Sequence, residues 1–234
     1  MDFKTIKISS GSDAIDELLN GGFENDCLST IYGPAGSGKS NIGLSTIAEC
    51  LKNGKKAIYI DTEGSFSVER MLQIFPEFPE KSNNLLFLKP TNFEEQKDAF
   101  LTLHKTININ KELFHLIVID SIAMLYRLEI GKTNDVVSVN KELGRQLGQL
   151  TELARKKHIP VIITNQVYSD FESNNQVKMV GGDLLKYSSK CLMELKSGKN
   201  GIREAILKKH RSIPESKNIF FKIVDEGLIK INEE

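Results

Sequence analysis

Apolar residues along this chain gather in short runs separated by stretches with helical spacing. "CLSTIYG" (Cys27–Gly33), "KAIYID" (Lys56–Asp61), "NLLFLKP" (Asn84–Pro90), "HLIVIDS" (His115–Ser121) and "PVIITNQV" (Pro160–Val167) are short, and their apolar character is nearly continuous. That pattern predicts strands covered on both faces. Between them the spacing predicts helices from Lys39 to about Lys52, from Asn92 to about Thr106 and from Ser138 to Lys157. In the last of these, Leu143, Leu147, Leu150 and Ala154 recur on one face. After Gly181 and Gly182 the pattern changes. "YSSKCLMELKSGKNGIREAILKKHR" and "NIFFKIVDEGLIKI" read as strands joined by turns at "KSGKNG" and "DEG", a hairpin-like C-terminal edge. Strands alternating with helices imply an α/β fold, with a mostly parallel, doubly wound sheet in a single domain spanning 1–234.

Composition narrows the class. With 234 residues, 40% of them apolar, the chain is long enough for one such core. Lys+Arg and Asp+Glu both number 31, so any nucleic-acid site must be a local patch rather than a global basic excess. The three cysteines, Cys27, Cys50 and Cys191, have neither disulfide-framework nor metal-ligand spacing; the expectation is a reduced, intracellular, cytoplasmic protein. No apolar run approaches roughly 18 residues, so no spanning helix and no membrane partner is expected. The N-terminal "MDFKTIKISSG" lacks a cleavable signal pattern. The four histidines show no metal or catalytic spacing.

The strongest chemical signal is "GPAGSGKS": Gly33, Pro34, Ala35, Gly36, Ser37, Gly38, Lys39 and Ser40. It matches G-x-x-x-x-G-K-[ST] in full, after a predicted strand and at the start of a predicted helix. The glycines let backbone N–H groups turn around phosphate oxygens, and the helix N-terminus adds positive potential. Lys39 would reach the β- and γ-phosphates of ATP, and the Ser40 hydroxyl would ligate Mg2+. Asp120 ends the apolar run "LIVID", where a buried strand opens into a ligand crevice. Joined to the phosphate loop, it reads as the acid that holds Mg2+, partly through water. Ser121 beside it reads as a helix cap or as a group polarising that water shell.

"DTEG" (Asp61–Gly64) raises a harder question. If its strand neighbours the phosphate-loop strand, Glu63 points at the γ-phosphate and can accept a proton from attacking water. The same residues are also turn chemistry, and the residues alone leave both readings open. From Lys186 to Arg211 there is a local basic run, whose "LKKHR" includes Lys209 and Arg211. A charge run is commonly a solvated face, and that reading applies best to Lys196 and Lys199.

Several stretches together, "GSDAIDELLNGG", "IYGPAGSGKS", "YIDTEGSFSVER", "LIVIDSIAMLYR", "VIITNQV", "GGDLLKYSS" and "LKKHRSIPE", resemble the RecA/RadA recombinase family in order, over most of Gly11–Glu215. The resemblance implies a RecA-like P-loop ATPase core in which Glu63 activates water and Gln166 senses the γ-phosphate, a role suited to a neutral amide. It also implies that Lys209 and Arg211 reach across a subunit interface to a neighbour's γ-phosphate. DNA contacts would come from a first loop at about Arg127–Val137, with Arg127, Lys132 and the nearby Lys141, and from a second loop between Gln166 and Gly181, with Tyr168, Phe171 and Lys178. The two rings can stack bases or pack in the core. The second loop carries Asp170 and Glu172, so binding should be backbone-dominated and salt-sensitive.

The chain departs from the full-length recombinases in three ways. Its core is expected to begin at about Lys7, without their N-terminal helical DNA-binding domain. "FKTI" at Phe3–Ile6 lacks the alanine of their Phe-x-x-Ala plug. The second loop looks short. The expected role is therefore a weak, DNA-dependent ATPase associated with the nucleoid, a weak homo-oligomer that assists a full-length recombinase or other repair protein. The alternatives are an ATP-switched, non-hydrolysing module for a recombinase or nuclease, and a KaiC-like signalling ATPase. KaiC-type proteins carry adjacent glutamates where this chain has "DTEG".

Overall fold

The computed structural model describes residues 6–109, 114–170 and 176–231, apart from the side chains at 109, 168–170 and 176–179. The chain runs β1 (Lys7–Ile8), α1 (Asp13–Leu18), β2 (Phe23–Glu24), β3 (Leu28–Gly33), α2 (Lys39–Lys52), β4 (Lys56–Asp61), α3 (Val68–Ile74), α4 (Phe78–Lys81), β5 (Leu85–Leu88), α5 (Phe93–Ile109) and β6 (Phe114–Asp120). It continues through α6 (Met124–Ile130), α7 (Val136–Lys157), β7 (Val161–Asp170), β8 (Gln176–Met179), α8 (Gly182–Ser188), β9 (Cys191–Ser197), β10 (Ile202–His210), β11 (Asn218–Val224) and β12 (Gly227–Ile231).

Ten strands form one sheet in the order β12-β11-β10-β9-β3-β7-β6-β4-β5, with β8 added to β7. From β9 to β5 neighbouring strands are parallel; from β9 to β12 they are antiparallel. This is the expected α/β architecture, a mostly parallel sheet with a C-terminal antiparallel edge. Parallel strands need crossovers long enough to carry helices, so both faces become covered. On one face α1, α2, α3 and α4 bury residues such as Ile15, Ile42, Ile47 and Met71 with Tyr59, Val118 and Phe221. On the other, α5, α6, α7 and α8 bury Phe100, Leu125, Leu143, Leu150 and Leu185 with Ile117, Ile119 and Ile163.

Local chemistry sets the element ends. Asp135 caps α7 by accepting from the Ser138 N–H. Arg155, Lys156 and Lys157 occupy its last turn, where the helix dipole favours cations. Ser67 caps α3 in the same way, through the Arg70 N–H. The α7 cap sits earlier than the predicted start at Ser138. It also shortens the expected first DNA loop, because residues 124–130 and 136–157 are helical and only 131–135 connect them. Helix α8 lies just before the stretch expected as strand and overlaps it only at Tyr187 and Ser188: Leu185, its one fully covered side chain, packs beside Leu143 of α7. The expected second loop is largely a hairpin, in which Val167 pairs with Met179 and Asp170 with Gln176.

The small β1–β2 ribbon is tied to the main sheet through Glu24. This buried carboxylate accepts from Arg211 Nε and from Ser212 Oγ at 3.2 Å, and lies 3.9 Å from Lys7 Nζ. Removing one partner of a buried charge leaves that charge uncompensated. Arg211→Ala is therefore expected to cost about 2 kcal/mol, discounted because the Arg211 side chain is 42% exposed. That corresponds to roughly 4–8 °C in thermal midpoint. Pairing the change with Glu24→Gln should restore most of the loss; equal midpoints for wild type and Arg211→Ala would show that Glu24 does not depend on this cation.

Candidate functional site

The phosphate loop joins β3 to α2. Gly36 and Gly38 have φ of +74° and +106°, values open to glycine at little cost. A side chain at Gly33 would place a Cβ 2.4 Å from the Leu195 carbonyl oxygen, because β9 runs directly alongside. The first helical bond runs from Ile42 N–H to the Gly38 carbonyl; the N–H groups of Lys39, Ser40 and Asn41 have no acceptor within the helix. Lys39 is only 6% exposed, and its Nζ donates to the carbonyls of Gly33 (3.0 Å) and Pro34 (2.8 Å). Burial lowers its pKa, while Glu63 and Asp120 oppose that shift. Ser37 Oγ is buried without a hydrogen-bond partner. Orphaned polar atoms of this kind are rare in folded proteins. Here one sits in a glycine-lined loop at a helix N-terminus. That combination fits an oxygen-rich anion such as a nucleotide phosphate.

Asp120 ends β6 and is 1% exposed. Its Oδ2 accepts from Tyr59 Oη (2.9 Å) and Ser65 Oγ (2.8 Å), and its Oδ1 from Thr164 Oγ1. Burial, together with the Asp120 charge, raises the Tyr59 pKa well above its ordinary value, which keeps this hydroxyl a donor. Asp120 pairs in register with Asp61 on β4. Among the described residues no group of three or more His, Cys, Asp or Glu could hold a metal. A Mg2+ ion would thus take Ser40, Asp120, phosphate oxygens and water, as this ion commonly does.

The two acids of "DTEG" separate cleanly. Asp61 is a turn cap: its Oδ1 accepts from the N–H groups of Glu63, Gly64 and Ser65 at 3.2, 2.8 and 3.1 Å, and its Oδ2 from Phe66 N–H at 3.1 Å. Glu63 points elsewhere. Its Oε1 accepts from Ser121 Oγ at 2.5 Å and its Oε2 from Gln166 Nε2 at 3.0 Å. Strand adjacency does not bring it there, since β7 and β6 lie between β3 and β4. The turn built on Asp61 swings Glu63 back across β6. Thr62 locks that turn: its Oγ1 donates to the Ser121 carbonyl at 2.6 Å and accepts from Ser121 N–H at 3.0 Å. Ser121 therefore does not cap α6, whose N-cap is Ala123. The peptide between Asp120 and Ser121 is cis.

Gln166 stands opposite Gly33 in the β3–β7 register. The fold thus collects Lys39, Ser40, Glu63, Asp120 and Gln166 at the carboxyl ends of the central strands, where open α/β sheets bind ligands. Arg127 joins them, sharing a small cleft with Ser121, Asn165 and Gln166. Lys132 is exposed in the α6–α7 connection. Lys141 lines a cavity of about 380 Å3 that also holds Glu94, Glu129, Asp135 and Glu142, so that surface is of mixed charge. Tyr168 and Lys178 face each other as backbone partners; their side chains, and all of Phe171, lie outside the described residues. Tyr126, the aromatic nearest the first loop, is buried against Phe93.

Lys209 and Arg211 are not brought to this cluster. β10 runs antiparallel to β9, pairing Arg203 with Ser197 and His210 with Cys191. Arg211 therefore lies roughly 23 Å along the sheet from the phosphate-loop end. There it lines a cavity of about 920 Å3 with Arg155, Tyr187 and Lys190, while Lys209 Nζ donates to the Lys186 carbonyl at 2.7 Å. Lys196 pairs with Glu204 and Lys208 with Glu194, as a solvated charged face would. Tyr59, Ser65 and Thr164, which hold Asp120, escape sequence reasoning because they reach it from two other stretches of the chain, 59–65 and β7. Only the position of Thr164 two residues before Gln166 offered a local signal.

The Rad51 family model matches residues 2–231. A DNA repair and recombination protein RadB of Methanobrevibacter smithii is 43% identical over 227 residues, covering 95% of each chain. The protein of the same name in Methanococcoides burtonii is 42% identical over 228 residues, covering 96% of this chain and 99% of the other. A crystal structure of the RadB recombinase has a TM-score of 0.80 with this chain at 36% identity, covering 96% of this chain and all 100% of that one.

The division between the two acids can be measured. Asp61→Ala leaves four buried-side N–H groups without their acceptor and should cost about 3 kcal/mol, roughly 6–12 °C in thermal midpoint. Glu63→Gln keeps an acceptor at that position and should stay within about 2 °C of wild type. Midpoints that fall equally in both variants would contradict the assignment of Asp61 to the turn and Glu63 to the site.

Proposed function

Because the chain belongs to the Rad51 family, we propose that it is an ATP-binding, weakly hydrolysing recombinase paralogue that binds DNA and assists homologous recombination and DNA repair in the cytoplasm. The observation that carries this reading is the Glu63–Gln166 hydrogen bond of 3.0 Å beside a complete phosphate loop. It couples a candidate base to a neutral amide next to Gly33, where the γ-phosphate of a loop-bound nucleotide would lie.

In this reading the N–H groups of Gly33–Ser40 and the ammonium of Lys39 bind the ATP phosphates. Ser40 and Asp120 hold Mg2+, partly through water, and the ion supplies charge neutralisation at the phosphates. Glu63 takes a proton from water as the water oxygen bonds to the γ-phosphorus and the bond from that phosphorus to the β–γ bridging oxygen breaks, with ADP as the leaving group. Gln166 bonds the phosphate without removing the proton. Weak turnover fits the same bond: Glu63 is already engaged by two donors, Ser121 and Gln166, and at least one of them must be displaced before its carboxylate can accept from water. That observation also favours a second reading, in which ATP is a conformational ligand and the protein is a switched, non-hydrolysing module for a recombinase.

DNA would be held through its backbone by Arg127, Lys132, Lys141 and Lys178, with Tyr168 and Phe171 as candidate stacking rings. Arg127 beside Gln166 gives the nucleotide a short route to that surface. Lys209 and Arg211 sit at the far end of the sheet, so they can act only on a phosphate carried by another molecule, such as the ATP of a second copy in a weak oligomer. A full-length recombinase or another repair protein is the expected partner.

Steady-state ATP hydrolysis with and without single-stranded DNA tests the central claim. A slow, DNA-stimulated rate should fall by about 10^2–10^4 in Glu63→Gln. A wild-type rate at the mutant's level in both conditions, with ATP still bound, would replace hydrolysis by the switch reading. Four backbone cations, Arg127, Lys132, Lys141 and Lys178, predict that log affinity for single strands falls with log salt at a slope of about −3; a flat titration would refute backbone-dominated binding. In an assembled sample, Lys209→Ala and Arg211→Lys should lower turnover at unchanged ATP affinity. The lysine variant keeps a cation beside Glu24, so lost stability is not mistaken for lost catalysis. Unchanged turnover would remove both residues from the reaction.

A further inference from the structure

Alternate residues of a strand share a face, and on β10 that places Arg203 in the row of Ala205 and Leu207, both fully buried. Arg203 is the polar end of this row and lies against the phosphate loop. Its Nε donates to the Gly36 carbonyl at 3.3 Å, and its Nη1 donates to the Gly201 carbonyl at 2.7 Å. A Cβ on Gly38 would meet Arg203 Cδ at 3.5 Å, Ile223 Cδ1 at 3.3 Å and Phe221 Cε2 at 3.5 Å. The start of α2 thus rests on a wall formed by two apolar side chains and the stem of Arg203.

One guanidinium therefore spans two backbone segments: the tip of the phosphate loop and the turn of the β9–β10 hairpin. That turn is closed by Gly198 N–H donating to the Ile202 carbonyl at 2.8 Å. Its other features are Lys199 and a left-handed Asn200, with φ of +54°. Among the described residues no carboxylate pairs with Arg203, so its charge also adds to the positive potential of the loop. A planar fork can hold two carbonyls at fixed angles, which the single ammonium of a lysine cannot do.

We propose that Arg203 is a positioning residue for the nucleotide, which holds the Gly36 peptide in its phosphate-receiving orientation and transmits occupancy of the loop to the hairpin turn at 198–201. The proposal rests on the reading that Gly33–Ser40 binds a nucleotide. Arg203 bonds the carbonyl of Gly36, while phosphate oxygens would be bound by the loop's N–H groups, so Arg203 acts through the loop and does not touch the nucleotide. An anion that fixes the loop also fixes the Gly36 carbonyl, tightens the Arg203 bridge and reduces opening of the Gly201 turn.

The test compares wild type, Arg203→Ala, Arg203→Lys and Lys39→Ala. Affinity for Mg–ADP and Mg–ATP is read by calorimetry, and amide exchange of residues 198–202 by mass spectrometry, with and without nucleotide. Wild type should show nucleotide-induced protection at 198–202 as well as in the phosphate loop. Both Arg203 variants should bind nucleotide roughly tenfold more weakly, the size of one lost charge-assisted hydrogen bond. At saturating nucleotide they should retain loop protection, lose hairpin protection and keep the wild-type maximal rate. Arg203→Lys keeps charge and stem and so carries the test if the alanine variant folds poorly. Unchanged affinity in both variants, or hairpin protection that persists in them, overturns the proposal. If wild type itself binds no nucleotide, the underlying reading fails and the proposal falls with it; if wild type binds and only the Arg203 effects are missing, the proposal alone fails.

Discussion

A carboxylate with almost no solvent exposure must find donors within the fold or be expelled from it, and Asp120 finds three hydroxyls. Tyr59 comes from β4, Ser65 from the turn after β4, and Thr164 from β7. These bonds cross-link the two strands that flank β6 at the level where the strands end. They satisfy the acid without a cation. Everything else in the site is placed relative to this point. The Asp61 turn follows the same strand end, Ser121 is the next residue along, and Gln166 lies two residues beyond Thr164.

From that fixed point the chain builds a relay of neutral and charged groups across the strand ends. Asp61 spends its oxygens on four backbone N–H groups, so it is held in place as the centre of the turn. Its rigidity lets Glu63, two residues on, reach over β6 to Ser121 and Gln166. The Gln166 backbone lies opposite Gly33, at the root of the phosphate loop, and its carbonyl accepts from Val180 N–H at 3.3 Å, where the β7–β8 hairpin returns. A shift of the Gln166 side chain toward a phosphate would release Glu63 and pull on that hairpin. One amide thus faces the candidate base, the phosphate loop and the return of the hairpin.

Much of this was legible in the sequence. The phosphate loop, the strand ending in Asp120 and the helix over Lys39–Lys52 could be read because their signals are local: glycine spacing, a β-branched run, an apolar face. The boundaries of α7 shifted because a single capping aspartate, Asp135, started the helix before its apolar face began. Helix α8 went unread, with only its last two residues counted in the strand that follows, because seven residues hold barely two turns, too few for a period to show; packing of Leu185 on α7 decides its form. The roles of Asp61 and Glu63 stayed open because turn-capping and proton transfer call on the same residue types. Only the three-dimensional course of the turn separates them. Arg203 was invisible for a related reason. Its contact with Gly36 depends on antiparallel pairing at the sheet's edge, and nothing near it in sequence hints at a phosphate loop 167 residues away.

The sheet also separates charge by direction. Its carboxyl end carries the loop, the acids and the amide. Its amino end carries Arg155, Lys190, Lys209 and Arg211 around an exposed Tyr187. Lys209 has its pKa lowered chiefly by burial and further by the neighbouring Lys190. Among the described residues Glu24 is committed to Arg211, and Asp26, which lines the same cavity, pairs with His158. Crowded cations attract anions from outside, and a single protomer cannot bend its far end back to its own phosphate loop. Whatever phosphate these side chains meet therefore belongs to another molecule. On the proposed reading, a nucleotide would sit at one end with the cations at the other, and the chemistry would be complete only in company. That is the physical sense in which its weak ATPase and its accessory role would be one property.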